Sequence, residues 1–136
     1  MPLYRLDTLP TRELFPGFNA RLVHTPLVTQ SYVECTAGAA FPEHQHPHEQ
    51  TVIMLEGELE IVAGGETHRL TPGMALVIPG NVRHAGRAVV ASRVLDVFSP
   101  PREDLEQKRG PGTRARGPGY SAAVAPPSTM MAWPLM

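Results

Sequence analysis

The sequence predicts an all-β fold, a sandwich or barrel of short strands in a single domain. Fifteen prolines and twelve glycines divide the 136 residues into short pieces, which disfavours long helices. Between these breaks lie runs rich in Val, Ile and Leu, at residues 19–35, 51–63, 74–80 and 87–98. Such runs, separated by turn signals at short intervals, are typical of strands in a sandwich or barrel.

Turn and helix signals punctuate these runs. Glu56-Gly57 and Gly64-Gly65 are predicted hairpin turns, because glycine takes a positive φ without steric cost. After the last run, residues 100–109 open with two prolines and continue with helix formers. We therefore expect one short helix to follow the last strand.

The chain changes character beyond residue 109. Residues 110–136 are rich in Gly, Pro and Ala and show no period, which predicts a disordered tail. The domain is accordingly placed at residues 1–109. The tail ends in an apolar stretch at 130–136, and such an end can dock on its own barrel or on a partner subunit.

Composition excludes several classes of partner. A net charge of -1 gives no reason to expect nucleic acid or an anionic membrane surface. No apolar run approaches the roughly 20 residues that a membrane span needs. The N-terminus lacks a basic region followed by a long apolar one, so no signal peptide is expected. Cys35 is the single cysteine and cannot form an intrachain disulfide, which favours a reducing cytoplasm.

The stretch HQHPHEQ, residues 44–50, is compatible with a metal site, a solvated loop or a pH sensor. On a strand, residues two apart share a face and lie about 6.6 Å apart, so that His44 and His46 can reach one ion. Pro47 favours a bend that would point Gln50 back toward this pair. A metal site then needs another ligand, and the best candidate is His84, which follows a Pro-Gly-Asn turn.

These spacings resemble the two motifs of the cupin superfamily. The first motif, at 38–57, keeps every interval, with Gly38, His44, His46, Gln50 and Gly57. The second motif, at 73–84, is represented by Gly73, Pro79, Asn81 and His84. The resemblance implies a small single-domain cupin, a jelly-roll (double-stranded β-helix) barrel. It also implies one divalent metal ion (Ni, Zn, Mn, Fe or Cu) held by His44, His46, Gln50 and His84.

The sequence departs from the motifs at three positions. Asn81 replaces a turn glycine, which asparagine tolerates because it accepts the left-handed conformation. Ala88 replaces the usual closing asparagine, which is expected to matter only locally. Gln50 replaces the usual glutamate, and its neutral amide leaves the charge of the ion uncompensated. That favours a Lewis acid holding an anionic substrate over a centre that must stabilise a higher oxidation state.

A second cluster lies in the last predicted strand and its exit. Asp96 and Phe98 are two residues apart and share a face, and Arg102 follows just beyond. Together with HPHEQ and LEGELE, this stretch resembles the small cupins of pectin and alginate breakdown, which open unsaturated uronates to linear keto acids. The resemblance implies that Asp96 moves protons, Phe98 packs against the sugar ring and Arg102 holds the carboxylate.

Elementary chemistry agrees with these roles, but structural alternatives exist. A guanidinium group binds a carboxylate bidentately, and a carboxylate can shuttle a proton between enol and keto forms. Alternatively, Asp96 forms an ion pair with Arg83 or Arg93 and Phe98 belongs to the core. His48 is expected to line the mouth of the site or to orient a ligand, rather than to bind the metal.

The sequence therefore predicts a metal-dependent enzyme that acts on a small oxygenated carboxylic acid by non-oxidative isomerase or lyase chemistry. The alternatives are an iron- or copper-dependent dioxygenase and a non-catalytic binding module. We expect a small-molecule substrate and no nucleic-acid or membrane partner. A homodimer is expected because strand edges in a small barrel need cover, and single-domain cupins commonly pair through their sheets.

Overall fold

Two antiparallel sheets pack against each other in the computed structural model, which describes residues 1–106. The strands are β1 Arg12–Phe15, β2 Phe18–His24, β3 Thr29–Cys35, β4 Ala40–His44, β5 Glu49–Glu56, β6 Leu59–Ala63, β7 Glu66–Leu70, β8 Ala75–Ile78, β9 His84–Ala88 and β10 Ser92–Ser99. The six-stranded sheet has the order β1-β2-β3-β10-β5-β8, and the four-stranded sheet has the order β4-β9-β6-β7. The predicted tail, and residues 107–109 of the predicted domain, lie outside the described residues.

The core lies between the sheets and follows from the period-2 pattern of the strands. In β10 the side chains of Val94, Asp96 and Phe98 are buried, while Leu95 and Val97 between them are only partly covered. The apolar core draws on both sheets and comprises Phe18, Ala20, Val33, Cys35, Phe41, Val52, Met54, Leu59, Ile61, Leu70, Ile78, Ala88 and Val94. The prediction of an all-β barrel is confirmed.

One predicted hairpin is confirmed and the other is wrong. Gly64 and Gly65, with φ of 58° and 85°, join β6 to β7, which pair antiparallel from Ala63 and Glu66 outward. The Glu56-Gly57 turn joins β5 to β6, but these strands belong to different sheets and do not pair. Gly57 is nevertheless required there, because its φ is 90° and a Cβ would clash with the chain at Ser92.

The exit from β10 is fastened to the end of the barrel. A short helix, α1 Glu103–Glu106, follows within the segment predicted to be helical. The backbone N–H of Arg102 donates to Thr29 Oγ1 at 2.8 Å, and Arg12 donates to the backbone carbonyl of Leu105, whose side chain is buried. These contacts place Arg102 beside the open end of the six-stranded sheet.

Within residues 1–106, the helical segments are far too short to cross a membrane.

Candidate functional site

Three histidines converge at one end of the barrel. His44 is the last residue of β4 and His84 the first of β9, and the two are direct partners in the strand ladder. Their ring centroids lie 4.3 Å apart. His46 lies beyond β4 rather than on it, yet its ring is 5.7 Å from that of His44 and 5.1 Å from that of His84. One nitrogen from each ring lies within 4.8 Å of the others, close enough for a shared ion.

The turn of the second motif holds the His46 loop in place. The backbone N–H of Asn81 donates to the carbonyl oxygen of His46 at 2.7 Å. Asn81 has a φ of 64°, the left-handed conformation expected from the sequence. A Cβ on Gly80 would clash with the carbonyl oxygen of Pro47, so glycine is needed for this close approach. Gly80 is a site-forming residue that the sequence analysis missed, because only the tertiary contact reveals its role.

Backbone carbonyl groups determine which nitrogen of each of the three imidazole rings carries the proton. The Nδ1 atoms of His44, His46 and His84 lie 3.0, 3.1 and 2.8 Å from backbone oxygens two residues away, those of Pro42, His48 and Val82. A carbonyl oxygen only accepts hydrogen bonds, so each Nδ1 carries the proton and each Nε2 presents a lone pair. Such outer contacts orient histidines for metal binding.

Burial keeps the histidine cluster neutral. It lowers the pKa of His44 from 6.5 to about 3, with a further contribution from His84. Burial is also the main cause of the lowered pKa values of His46 and His84. A divalent ion needs neutral imidazoles, and the site supplies them at neutral pH.

Gln50, the second residue of β5, turns back to the cluster as its position predicts. Its Oε1 lies 3.1 Å from Nε2 of His46, although both atoms are acceptors. Adjacent ligands bonded to one ion at about 2.1 Å would lie about 3.0 Å apart, so a cation relieves this repulsion. The Nε2 atom of His84 is buried and has no hydrogen-bond partner among the described residues. The donor set therefore fits a divalent metal ion.

Asp96 lies fully buried in the middle of β10, opposite Ser31 of β3 and Val52 of β5. Burial raises the pKa of its carboxyl group well above 3.8, while the amide of Gln50 and the charge of Arg102 act in the opposite direction. The amide of Gln50 thus lies 3.1 Å from His46 Nε2 and also lowers the pKa of Asp96.

The structural alternative for Asp96 is an ion pair with an arginine such as Arg83 or Arg93, and neither of these two forms it. Arg83 lies 3.8 Å from Glu43, and Arg93 lies 3.4 Å from Glu34. Both arginine side chains are more than half exposed, whereas Asp96 points into the barrel.

Phe98 and Arg102 form the wall next to Asp96. Phe98 is fully buried, and its ring lies 5.6 Å edge-on from His46. The guanidinium carbon of Arg102 lies 4.7 Å from the centre of the Phe98 ring. Arg102 is 1% exposed and is paired with Asp104, which leaves Nη1 buried without a hydrogen-bond partner among the described residues. Phe98 thus contacts both the histidine cluster and a buried cation, and its predicted contact with a sugar ring stays a prediction.

His48 lies outside the group of three histidines that could share an ion, and its expected role at the mouth of the site stays a prediction. Its side chain is buried. Burial, and then the charge of Arg102, lower its pKa to about 4, while Asp104 raises it. His48 and Asp104 therefore flank Arg102. The sequence analysis assigned no role to Asp104.

Two packed antiparallel sheets with a histidine cluster at one end are the features that define a cupin. Residues 31–98 match the family described as "Cupin domain", and the chain belongs to that family. KdgF from Halomonas sp. is similar in structure, with a TM-score of 0.72 and 31% identity over 77% of this chain and 98% of that one.

The chain is also similar to ectoine synthases. The L-ectoine synthase of Streptomyces anulatus is 38% identical over 65 residues, covering 44% of this chain and 49% of that protein. The chain spans about half the length of the curated relatives it matches. The ectoine synthase of P. lautus has the same fold, with a TM-score of 0.70 and 24% identity over 89% of this chain and 96% of that one.

Proposed function

We propose that this cupin is a metal-dependent enzyme performing non-oxidative isomerase or lyase chemistry on a small oxygenated carboxylic acid. Opening of an unsaturated uronate ring is the favoured reaction. The observation that carries the proposal is the Gln50 side chain, a neutral amide 3.1 Å from His46 where a carboxylate would reduce the charge of a bound ion. All the proposed ligands, His44, His46, His84 and Gln50, are neutral.

The charge of the surrounding groups supports an anionic substrate. A divalent ion held by neutral ligands keeps its full charge, and Arg102 adds a buried cation 4.7 Å from the centre of the Phe98 ring. Asp104 offsets the charge of Arg102, while the raised pKa of Asp96 favours its neutral, protonated form. A substrate carboxylate would supply the missing negative charge.

The metal ion would supply Lewis-acid polarisation of a substrate hydroxyl or carbonyl oxygen. The Nη1 group of Arg102 donates hydrogen bonds to the substrate carboxylate, and Phe98 packs against the ring. His48 lies beside Arg102, where its free Nδ1 is available to a substrate hydroxyl.

Asp96 carries the proton in the enol-to-keto step. Its carboxyl group donates a proton to the enol carbon and then recovers the proton that leaves the enol oxygen, so that no net proton is consumed. Full burial prevents exchange of this proton with bulk water during the step.

Similarity to KdgF supports the uronate assignment, since its chain is covered almost completely. Local similarity to L-ectoine synthases favours a synthase reaction as a second candidate. The next experiment separates uronate ring opening from an iron- or copper-dependent dioxygenase and from a non-catalytic binding module.

The experiment uses protein loaded separately with nickel, zinc, manganese or iron(II), and the metal-free protein as control. Each sample receives a 4,5-unsaturated galacturonate monomer, while the ultraviolet absorbance of the double bond and the dissolved oxygen are followed. We expect each metal to accelerate loss of the double bond without oxygen consumption, since a Lewis acid needs no redox couple. Stoichiometric oxygen uptake by iron-loaded protein would support the dioxygenase instead. Metal-loaded protein without any acceleration would contradict uronate ring opening.

A further inference from the structure

Asp104 holds the guanidinium group of Arg102 by two hydrogen bonds. Arg102 Nε donates to Oδ1 at 3.0 Å, and Nη2 donates to Oδ2 at 2.8 Å. The Arg102 side chain is 1% exposed, whereas the Asp104 side chain is 43% exposed. The pair therefore has its cation inside the site and its carboxylate at the rim.

This contact occupies one edge of the guanidinium plane and leaves the opposite corner available. The group is rigid and planar, so fixing Nε and Nη2 also fixes the direction of Nη1. The Phe98 ring, 4.7 Å from the guanidinium carbon, limits tilting of that plane. Nη1 is the part of Arg102 that is buried without a hydrogen-bond partner among the described residues.

We propose that Asp104 is a positioning residue, which fixes Arg102 so that Nη1 points at the carboxylate of the substrate and thereby sets the affinity for acids. The inference rests on the acid-binding role proposed above for Arg102. Asp104 itself does not touch the substrate.

Removal of the Asp104 charge has two opposing consequences. It strengthens the general attraction of the site for anions, and it lets the guanidinium group rotate. The first effect is weak because the carboxylate is partly exposed and screened by water. The second is large because a charge-assisted hydrogen bond depends on direction. The loss of orientation therefore outweighs the gain in attraction, and the affinity for acids should fall.

The test measures binding of D-galacturonate, which lacks the double bond, to the zinc-loaded protein by calorimetry. Asp104→Asn should weaken binding on the order of tenfold, and Asp104→Glu, which keeps the charge, should recover most of the loss. Arg102→Ala should abolish binding. The matched control is Glu60→Gln, which removes a carboxylate from the surface pair that Glu60 forms with Arg87. Equal or tighter binding by Asp104→Asn would overturn the proposal.

A second measurement does not depend on a ligand. Hydrogen exchange of the Arg102 Nε–H, followed by NMR, should be slow in the wild type and in Asp104→Glu but fast in Asp104→Asn. Unchanged exchange in Asp104→Asn would contradict positioning. If Asp104→Asn does not fold, fast exchange of the Arg102 Nε–H in the wild type or in Asp104→Glu would likewise contradict positioning by Asp104. Slow wild-type exchange without galacturonate binding would instead contradict the acid-binding role in the proposed function.

Discussion

Gln50 and Asp96 are fully buried on the neighbouring strands β5 and β10, and the amide of Gln50 lowers the pKa of the Asp96 carboxyl group against the larger effect of burial. Because Gln50 Oε1 also lies 3.1 Å from His46 Nε2, one amide connects the proposed metal ligands with the proposed proton carrier. Metal binding and proton transfer are thus assigned to different residues, which substitutions can separate.

Replacement of Asp96 by Asn should remove most turnover while leaving the metal in place. The amide keeps the size of the side chain but cannot carry the proton, and loss of a general acid–base group typically costs about 10²–10⁴-fold in rate. The measurement is kcat for the unsaturated uronate together with metal content by elemental analysis. Near-normal turnover in a metal-replete Asp96→Asn protein would exclude Asp96 as the proton carrier.

The same substitution should stabilise the metal-free protein at neutral pH. The pKa of Asp96 is raised in the fold, so above pH 3.8 the unfolded chain releases a proton that the native state retains. Stability contributed by the protonated carboxyl is therefore lost as pH rises, and Asn does not suffer this loss. Thermal melts should show a higher Tm for Asp96→Asn at pH 7 and a shrinking difference toward pH 4. A lower Tm at pH 7 would contradict this expectation.

Acid should destabilise the metal-free wild-type protein through its buried histidines. The pKa values of His44 and His48 are lowered from 6.5 to about 3 and about 4. As pH falls below 6.5, the unfolded chain takes up protons that the native state does not, so native stability decreases. The raised pKa of Asp96 has the opposite effect on stability, but it is one group against four histidines with lowered pKa values. Urea unfolding at pH 7 and pH 5 measures the difference, and equal stability at both pH values would argue against neutral buried imidazoles.

We propose that the protein is a homodimer formed through the outer face of the six-stranded sheet. Ile53 and Leu95 are neighbours in the ladder on that face, and Val77 is 55% exposed nearby. The outer face of the four-stranded sheet is instead crossed by ion pairs such as Arg87–Glu60. A second copy is the favoured occupant because an apolar patch bordered by Arg93 and its acidic neighbours can be self-complementary about a two-fold axis.

Light scattering tests the dimer. The wild type should have about twice the monomer mass of 14.8 kDa at micromolar concentration. Leu95→Glu should be monomeric, whereas the control Val62→Glu, on the outer face of the four-stranded sheet, should remain dimeric. A monomeric wild-type protein would refute the proposal.

Much of the fold and site follows from local pattern, and the rest depends on distant contacts. The period-2 pattern of SRVLDVFS already turns Asp96 and Phe98 to one face, and the motif intervals select His44 and His84. The strands that carry these histidines lie largely outside the predicted apolar runs. β4 contains Pro42 and β9 contains Gly86, and both residues disfavour strands, so these strands depend on tertiary pairing: β9 pairs with both β4 and β6.

The wrong hairpin has the same kind of cause. Gly57 signals a turn, but β5 pairs with β10 and β8, which come much later in the chain. No local sequence pattern indicates that β6 belongs to the other sheet. Asp104 was likewise missed because its role depends on where the exit from β10 is fastened.

The metal content of His46→Ala and His84→Ala, measured by elemental analysis after equilibration with zinc, tests the central claim most directly. The control is His68→Ala, a histidine on β7 whose ring lies 3.4 Å from Glu66 and outside the cluster. We expect about one equivalent of zinc in the wild type and in the control. Both cluster variants should lose most of their zinc, because residues that only hydrogen-bond to the ligands cannot replace a missing ligand nitrogen. Undiminished zinc in folded His46→Ala and His84→Ala proteins would contradict a metal centre built on these histidines.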